Sequence, residues 1–113
     1  MTKKLLDVAN LEAALDEFAD ARDWRKFHSP KNLAMALTGE VGELVEIFQW
    51  INEEQSKEVA AHPETARAIR DELADVMIYL VRLSSVLGVD LNEAVESKMA
   101  TNARKYPVKF KHS

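Results

Sequence analysis

Only three glycines and three prolines punctuate the 113 residues. These two residue types make most of the tight reversals that strands need, so a chain this poor in them has little room for a sheet of many strands. An all-α fold is the expectation, and the apolar residues agree, recurring at helical rather than alternating spacing. Leu11, Leu15 and Phe18 predict a first helix capped by Asn10 and reaching about Trp24. Ser29 followed by Pro30 marks a second start, because the missing N–H of proline does no harm in a first helical turn. That helix carries Leu33, Leu37, Val41, Leu44 and Phe48 to about Ile51. Residues 52–62 turn polar and lose the period, which reads as a loop with room for a short helical turn. A third helix covers about Thr65 to Leu87 through Ile69, Leu73, Val76, Leu80 and Leu83, and Gly88 suits the residue just past its end. Asp90 and Glu93 match the capping box of a fourth, through Leu91, Val95 and Met99, which ends near Arg104 before Pro107. The tail beyond it is basic and expected to be loose.

Composition bounds the function classes. With 47% hydrophobic and 30% charged residues, the chain has the balance of one soluble domain. A monomer of this size buries only about two thirds of its unfolded surface, so a core shared between subunits is an easy way to gain stability. The absence of cysteine excludes disulfides, thiolate zinc sites and a cysteine nucleophile. The segment Met1 to Asn10 lacks the apolar run of a signal peptide, and a cytoplasmic protein is the expectation, with no membrane partner. A net charge of −4, with basic residues gathered only around Arg104 to Lys111, argues against duplex nucleic acid as a partner.

The stretch GEVGELVEIFQW, Gly39 to Trp50, places Glu40, Glu43 and Glu46 at three-residue steps and uses two glycines where alanine would stabilise a helix better. On a helical projection Glu40 and Glu43 adjoin the apolar stripe rather than the far, wet side. Shifted by 32 positions the pattern recurs: Glu72 falls on Glu40, Asp75 on Glu43, and Ile69, Leu73, Val76, Leu80 and Leu83 on the second helix's own stripe. If the two helices pack through these stripes, four carboxylates converge. Their repulsion grows as water is removed, so protonation or bound cations must relieve it. Acids with no converging histidine suit Mg²⁺, or Mn²⁺ as a substitute. A di-iron bundle would need Glu-x-x-His pairs, and His28, His62 and His112 follow none of these acids at that spacing. A lone Glu-x-x-Glu is usually a solvated face; its repetition beside a core stripe is what points to a site. Gly39 and Gly42 would let a ligand or neighbouring helix approach closely.

Three segments, FHSPKNLAMALTGEVGELVEIFQW, DELADVMIYLVRL and ESKMATNARKYPV, resemble the all-α nucleoside triphosphate pyrophosphatases of the MazG superfamily, and within it the small dCTP-pyrophosphatase-like branch. The likeness runs from about Arg22 to Val108 and would make residues 1–113 a single such domain with a basic tail from about Pro107. The family's signature opens with two adjacent acids, whereas Gly39 stands in place of the first. The resemblance implies hydrolysis of a deoxynucleoside triphosphate (dCTP, dATP or a modified analogue) to monophosphate and pyrophosphate, with Glu40, Glu43, Glu72 and Asp75 holding Mg²⁺. It also implies a homo-oligomer, a dimer or a dimer of dimers, with a tetramer favoured.

For the nucleobase, Trp24, Phe27, Trp50 and Tyr79 offer faces to stack on, with plain core packing the competing reading. On a continuous helix Trp50 shares the face of Glu43, and Tyr79 follows Asp75 by one turn, so both are expected to point toward the metals. His28 and Asn32 are candidates to hydrogen-bond the base or sugar, although His28 reads equally well as a surface histidine at a helix start. Lys98, Asn102, Arg104, Lys105 and Tyr106 are the partners expected for the triphosphate, with the resemblance favouring Lys98 and Asn102. Cations near a helix end also suit its dipole without any ligand. The rival readings are a non-catalytic helical adaptor whose acidic face binds a basic partner, and a nucleotide sensor without turnover.

Overall fold

Ser29 opens the helix around which the molecule is organised: its backbone is extended, and its hydroxyl accepts from the Asn32 N–H at 3.1 Å while Pro30 takes the first helical position. A computed structural model describes residues 4–109 and holds α1 (Ala9–Ala21), α2 (Pro30–Phe48), α3 (Glu53–Ser56), α4 (Pro63–Leu87) and α5 (Leu91–Lys105). Short 3₁₀ turns at Arg25–Phe27 and Val59–Ala61 join them, and no strand occurs among the described residues. Residues 1–3 and 110–113 lie outside the described range, and with them the Met1 end of the expected leaderless segment and the last part of the expected basic tail.

The ends of α1 depart from expectation. Val8 occupies the capping position, and the nearest side-chain acceptor is Asp7, whose carboxylate takes the Ala9 N–H at 3.2 Å. Asn10 therefore lies inside the helix and does not cap it. At the other end Asp23 adopts a left-handed φ of 56°, and the Trp24 N–H reaches back to the Ala19 carbonyl at 2.8 Å. That is the closure usually made with glycine, and aspartate is among the few other residues that tolerate it. The helix accordingly stops at Ala21, short of Trp24.

The polar stretch 52–62 is better ordered than its composition suggests. Asn52 and Gln55 form a complete capping box, with bonds of 2.8 and 3.0 Å, that starts α3. At the far end of α4, Gly88 takes φ 70° and its own and the next N–H close on the Ser85 and Ser84 carbonyls. Asp90 then starts α5 by accepting from the Glu93 N–H at 3.1 Å, the forward half of the expected box.

The main packing is α2 against α4, with α1 and the Val59–Ala61 turn also laid on α4. α5 follows with little packing on the rest of the chain. Among the described residues the enclosed apolar side chains are only Ala19, Leu33 and Val81, and the buried polar ones are Arg82 and Ser84. The accessible surface, 9315 Å², exceeds the roughly 6,300 Å² expected for a folded monomer of 12.8 kDa. The radius of gyration, 17.8 Å, likewise exceeds the ~13 Å of a globule of this length. Leu73, Met77, Leu80 and Leu87 stay exposed, and their spacing puts them along one side of α4. This protomer is an extended helical frame with a bare apolar flank.

Candidate functional site

Packing α2 on α4 brings the repeated acids together. Glu40 and Glu43 from α2 and Glu72 from α4 each offer a carboxylate oxygen within 4.8 Å of the others. Glu40 and Glu72 are half-buried, and one oxygen of each, Oε2, is shielded from solvent with no hydrogen-bond partner among the described residues. Ionised carboxylates only accept, so buried acceptors gathered this closely repel until a proton or a cation comes between them. Asp75, also half-buried on α4, is outside this tight group, although its charge acts on Glu40.

The consequences show in proton affinity. Burial pushes the Glu72 carboxyl up to about 7, and its protonated form is favoured further by hydrogen bonds to Glu40 and Glu43 and by their charges. A hydrogen bond donated by Glu72 draws the Glu40 carboxyl down, but burial and the charges of Glu43 and Asp75 prevail and hold it above the usual range. A hard dication fits this all-oxygen donor set, supplying the positive charge that the orphaned oxygens lack.

Beside α4 a second feature takes shape. Leu15, Phe18 and Ala19 of α1, Trp24 and His28 of the connecting turn, and Ile78, Tyr79 and Arg82 of α4 line a mostly apolar pocket of about 200 Å³. The Trp24 ring meets Phe18 edge-on at 5.6 Å between centroids and lies 6.1 Å from His28. Tyr79 stands one turn after Asp75 on the same helix, so the pocket and the acids share α4 as a common wall.

The structure gathers Trp24, His28 and Tyr79, but not the other expected base contacts. Phe27 is 59% exposed and does not line the pocket. Asn32 is engaged in the turn, donating from Nδ2 to the Phe27 carbonyl at 3.1 Å. Trp50 is 86% exposed, because α2 ends at Phe48 and the helical face extrapolated to Trp50 no longer exists there. Lys98, Asn102, Arg104, Lys105 and Tyr106 are all exposed on or just after α5 and are not brought to the acids within this protomer. The close approach expected at Gly39 and Gly42 does not occur inside the chain, where a Cβ on either would meet nothing within 4 Å. Sequence reasoning passed over Asp16 and Arg82. A charged residue inside the apolar run YLVRLSSV was the available signal for Arg82, which is 5% exposed.

A MazG-like family model matches residues 36–113, the part of the chain that carries all four acids. The chain belongs to the MazG-like family. Curated relatives agree: dCTP pyrophosphatase 1 of Bos taurus is 50% identical over 104 residues, covering 92% of this chain and 60% of that protein. The protein of the same name from Homo sapiens is 47% identical over 109 residues, 96% of this chain and 62% of that one. This MazG-like chain thus spans about three fifths of the length of these relatives. A crystal structure of a pyrophosphatase from Archaeoglobus fulgidus superposes with a TM-score of 0.83 at 40% identity, covering 96% of this MazG-like chain and 99% of that one. No helix among the described residues is long and apolar enough to cross a membrane.

Proposed function

We propose that this MazG-like protein hydrolyses deoxynucleoside triphosphates, dCTP first among them, to the monophosphate and pyrophosphate, clearing unwanted nucleotides from the cytoplasmic pool. The observation that carries this reading is the carboxylate cluster of Glu40, Glu43 and Glu72 with its two orphaned buried oxygens. These residues, joined by Asp75, would hold Mg²⁺, or Mn²⁺ in its place. The ion would neutralise phosphate charge and make a bound water more acidic. Phosphoryl-type transfer asks the protein mainly for positioning and charge compensation, which an acidic, half-buried helix seam provides. One water is consumed as the bridging α–β anhydride is cleaved, and one of these carboxylates would take its proton.

The pocket between α1 and α4 supports a nucleobase site. Its apolar lining with Trp24, His28 and Tyr79 combines stacking faces with polar tips. The curated relatives' names make dCTP the first substrate to try, with dATP and base-modified analogues beside it. The bare flank of α4 and the excess surface support a homo-oligomer, a tetramer by family resemblance, in which Lys98, Asn102, Arg104, Lys105 and Tyr106 reach the triphosphate from α5 of the same or another protomer.

Chromatography of a dCTP digest tests the reaction. dCMP and pyrophosphate, formed with Mg²⁺ and abolished by EDTA, are the expected outcome. dCDP with orthophosphate, or turnover indifferent to EDTA, would refute it.

A further inference from the structure

One polar network lies in the wall of the pocket, and of its members only His28 has been given a part so far. Arg82 of α4 is almost wholly enclosed, and its guanidinium is held on two sides: Nε donates to His28 Nδ1 at 3.1 Å, and Nη1 donates to Asp16 Oδ1 of α1 at 3.2 Å. Asp16 is held in turn by Arg25, whose Nη2 lies 2.8 Å from both of its oxygens. Arg25 also pairs with Asp20 at 3.2 Å. Three elements, α1, the 3₁₀ turn and α4, are thereby tied together around one imidazole.

The chemistry of the donors fixes that imidazole. A guanidinium has five N–H groups and no acceptor, so the nitrogen facing it must carry a lone pair. Nδ1 is therefore the bare nitrogen of His28. The ring's single proton sits on Nε2, and the one hydrogen bond left to the ring is a donated one. Burial and the nearby Arg82 charge both favour the neutral ring, in keeping with the geometry.

We propose that Arg82, anchored by Asp16, is a positioning residue that holds His28 as a fixed Nε2–H donor, so that the pocket recognises an acceptor atom on the edge of the substrate base. This rests on the reading of the pocket as a nucleobase site. A tautomer set in advance means that no proton has to move, and no ring has to turn, when the base arrives. It also explains why an arginine is kept at a nearly enclosed position, where an unpaired charge would be costly and an apolar side chain would pack more cheaply.

The test uses the full chain with ¹⁵N-labelled histidine and no nucleotide, the His28 signals being assigned by their loss in His28→Gln. A single tautomer with a bare Nδ1 and a protonated Nε2 is expected. In Arg82→Met, which keeps the apolar stem but donates nothing, the two tautomers should mix. KM for dCTP should rise roughly tenfold with a much smaller change in kcat, the size of one lost hydrogen bond. Arg82→Lys, still a donor, should recover much of both effects. A proton on Nδ1 or a tautomer mixture in the wild type would overturn the proposal, as would an Arg82→Met protein with unaltered tautomer and KM. Should Arg82→Met fail to fold, Asp16→Leu, which leaves Arg82 and His28 in place but removes the acceptor that anchors the guanidinium, should raise KM about threefold, and no change there would overturn it. A wild type with the expected tautomer but no turnover of dCTP would sink the hydrolase reading while supporting the Arg82–His28 pairing.

Discussion

Glu72 is a carboxyl whose charge is contested near neutrality. Its usual value is 4.5, and in the folded protein it is held at about 7. Between those two values the unfolded chain has already lost this proton while the folded one keeps it, so the Glu72 contribution to stability falls as pH rises through that window. His28 works the other way: its lowered affinity makes the folded state lose stability as pH falls below about 6.5. The difference between wild type and Glu72→Gln isolates the acid. With EDTA present, thermal denaturation should show the wild type losing ground to Glu72→Gln from pH 5 to 7.5, and Mg²⁺ should restore the wild type increasingly toward higher pH. A gap that does not vary with pH would mean that Glu72 is not strained. The same substitution should cut turnover by about a hundredfold or more, since even residues that merely support a metal ligand are worth 10–100-fold. The meeting of Glu40, Glu43 and Glu72 was legible in the sequence because one pattern occurs twice on helices that pack together. The bond between Arg82 and His28 was not, because its partners stand 54 residues apart and no periodicity links them.

Helix starts were easier to read than helix ends. Ser29–Pro30 and Asp90 carry their capping chemistry in their side chains, and Gly88 advertises its left-handed backbone. Asp23 does the same job at the end of α1 without a glycine to announce it, which is why Trp24 was placed one element too early. The same kind of error moved Trp50 onto a face of α2 that had already ended. Asn10 lost its capping role because α1 begins before it. Gly39 and Gly42 give a prediction for α2 as a whole. Each weakens a helix by roughly 0.5–1 kcal/mol against alanine, and nothing in the chain occupies the space a methyl group would fill. If that space stays open in the working protein, Gly42→Ala should raise stability to urea by about that amount and leave turnover intact. If a neighbouring copy or the substrate lies against that backbone, the substitution should lower stability or activity instead, and a urea titration with a turnover assay separates the two cases.

At the scale of the whole molecule, the all-α architecture followed from the scarcity of turn-forming residues, and the stripes were read correctly as apolar seams. What the stripes touch was only half legible, since a seam facing its own chain and one facing a copy look alike in sequence. Leu73, Leu80 and Leu87 are the case in point, read as part of the stripe and found open in the protomer, with Met77 exposed beside them. Light scattering should therefore return a multiple of 12.8 kDa, with a melting temperature that climbs with protein concentration. Leu80→Glu with Leu87→Glu should shift the mass toward the single chain and lower stability by several kcal/mol, because two large apolar side chains would lose their burial. A wild type that scatters as a 12.8 kDa particle would remove this reading. The uncovered flank of α4 also has a bearing on how a cell keeps such a protein: if a second copy covers that flank, a newly made chain would be exposed to proteases until the two meet, so abundance should drop faster than synthesis when expression is throttled, giving the gene a dosage threshold rather than a proportional response.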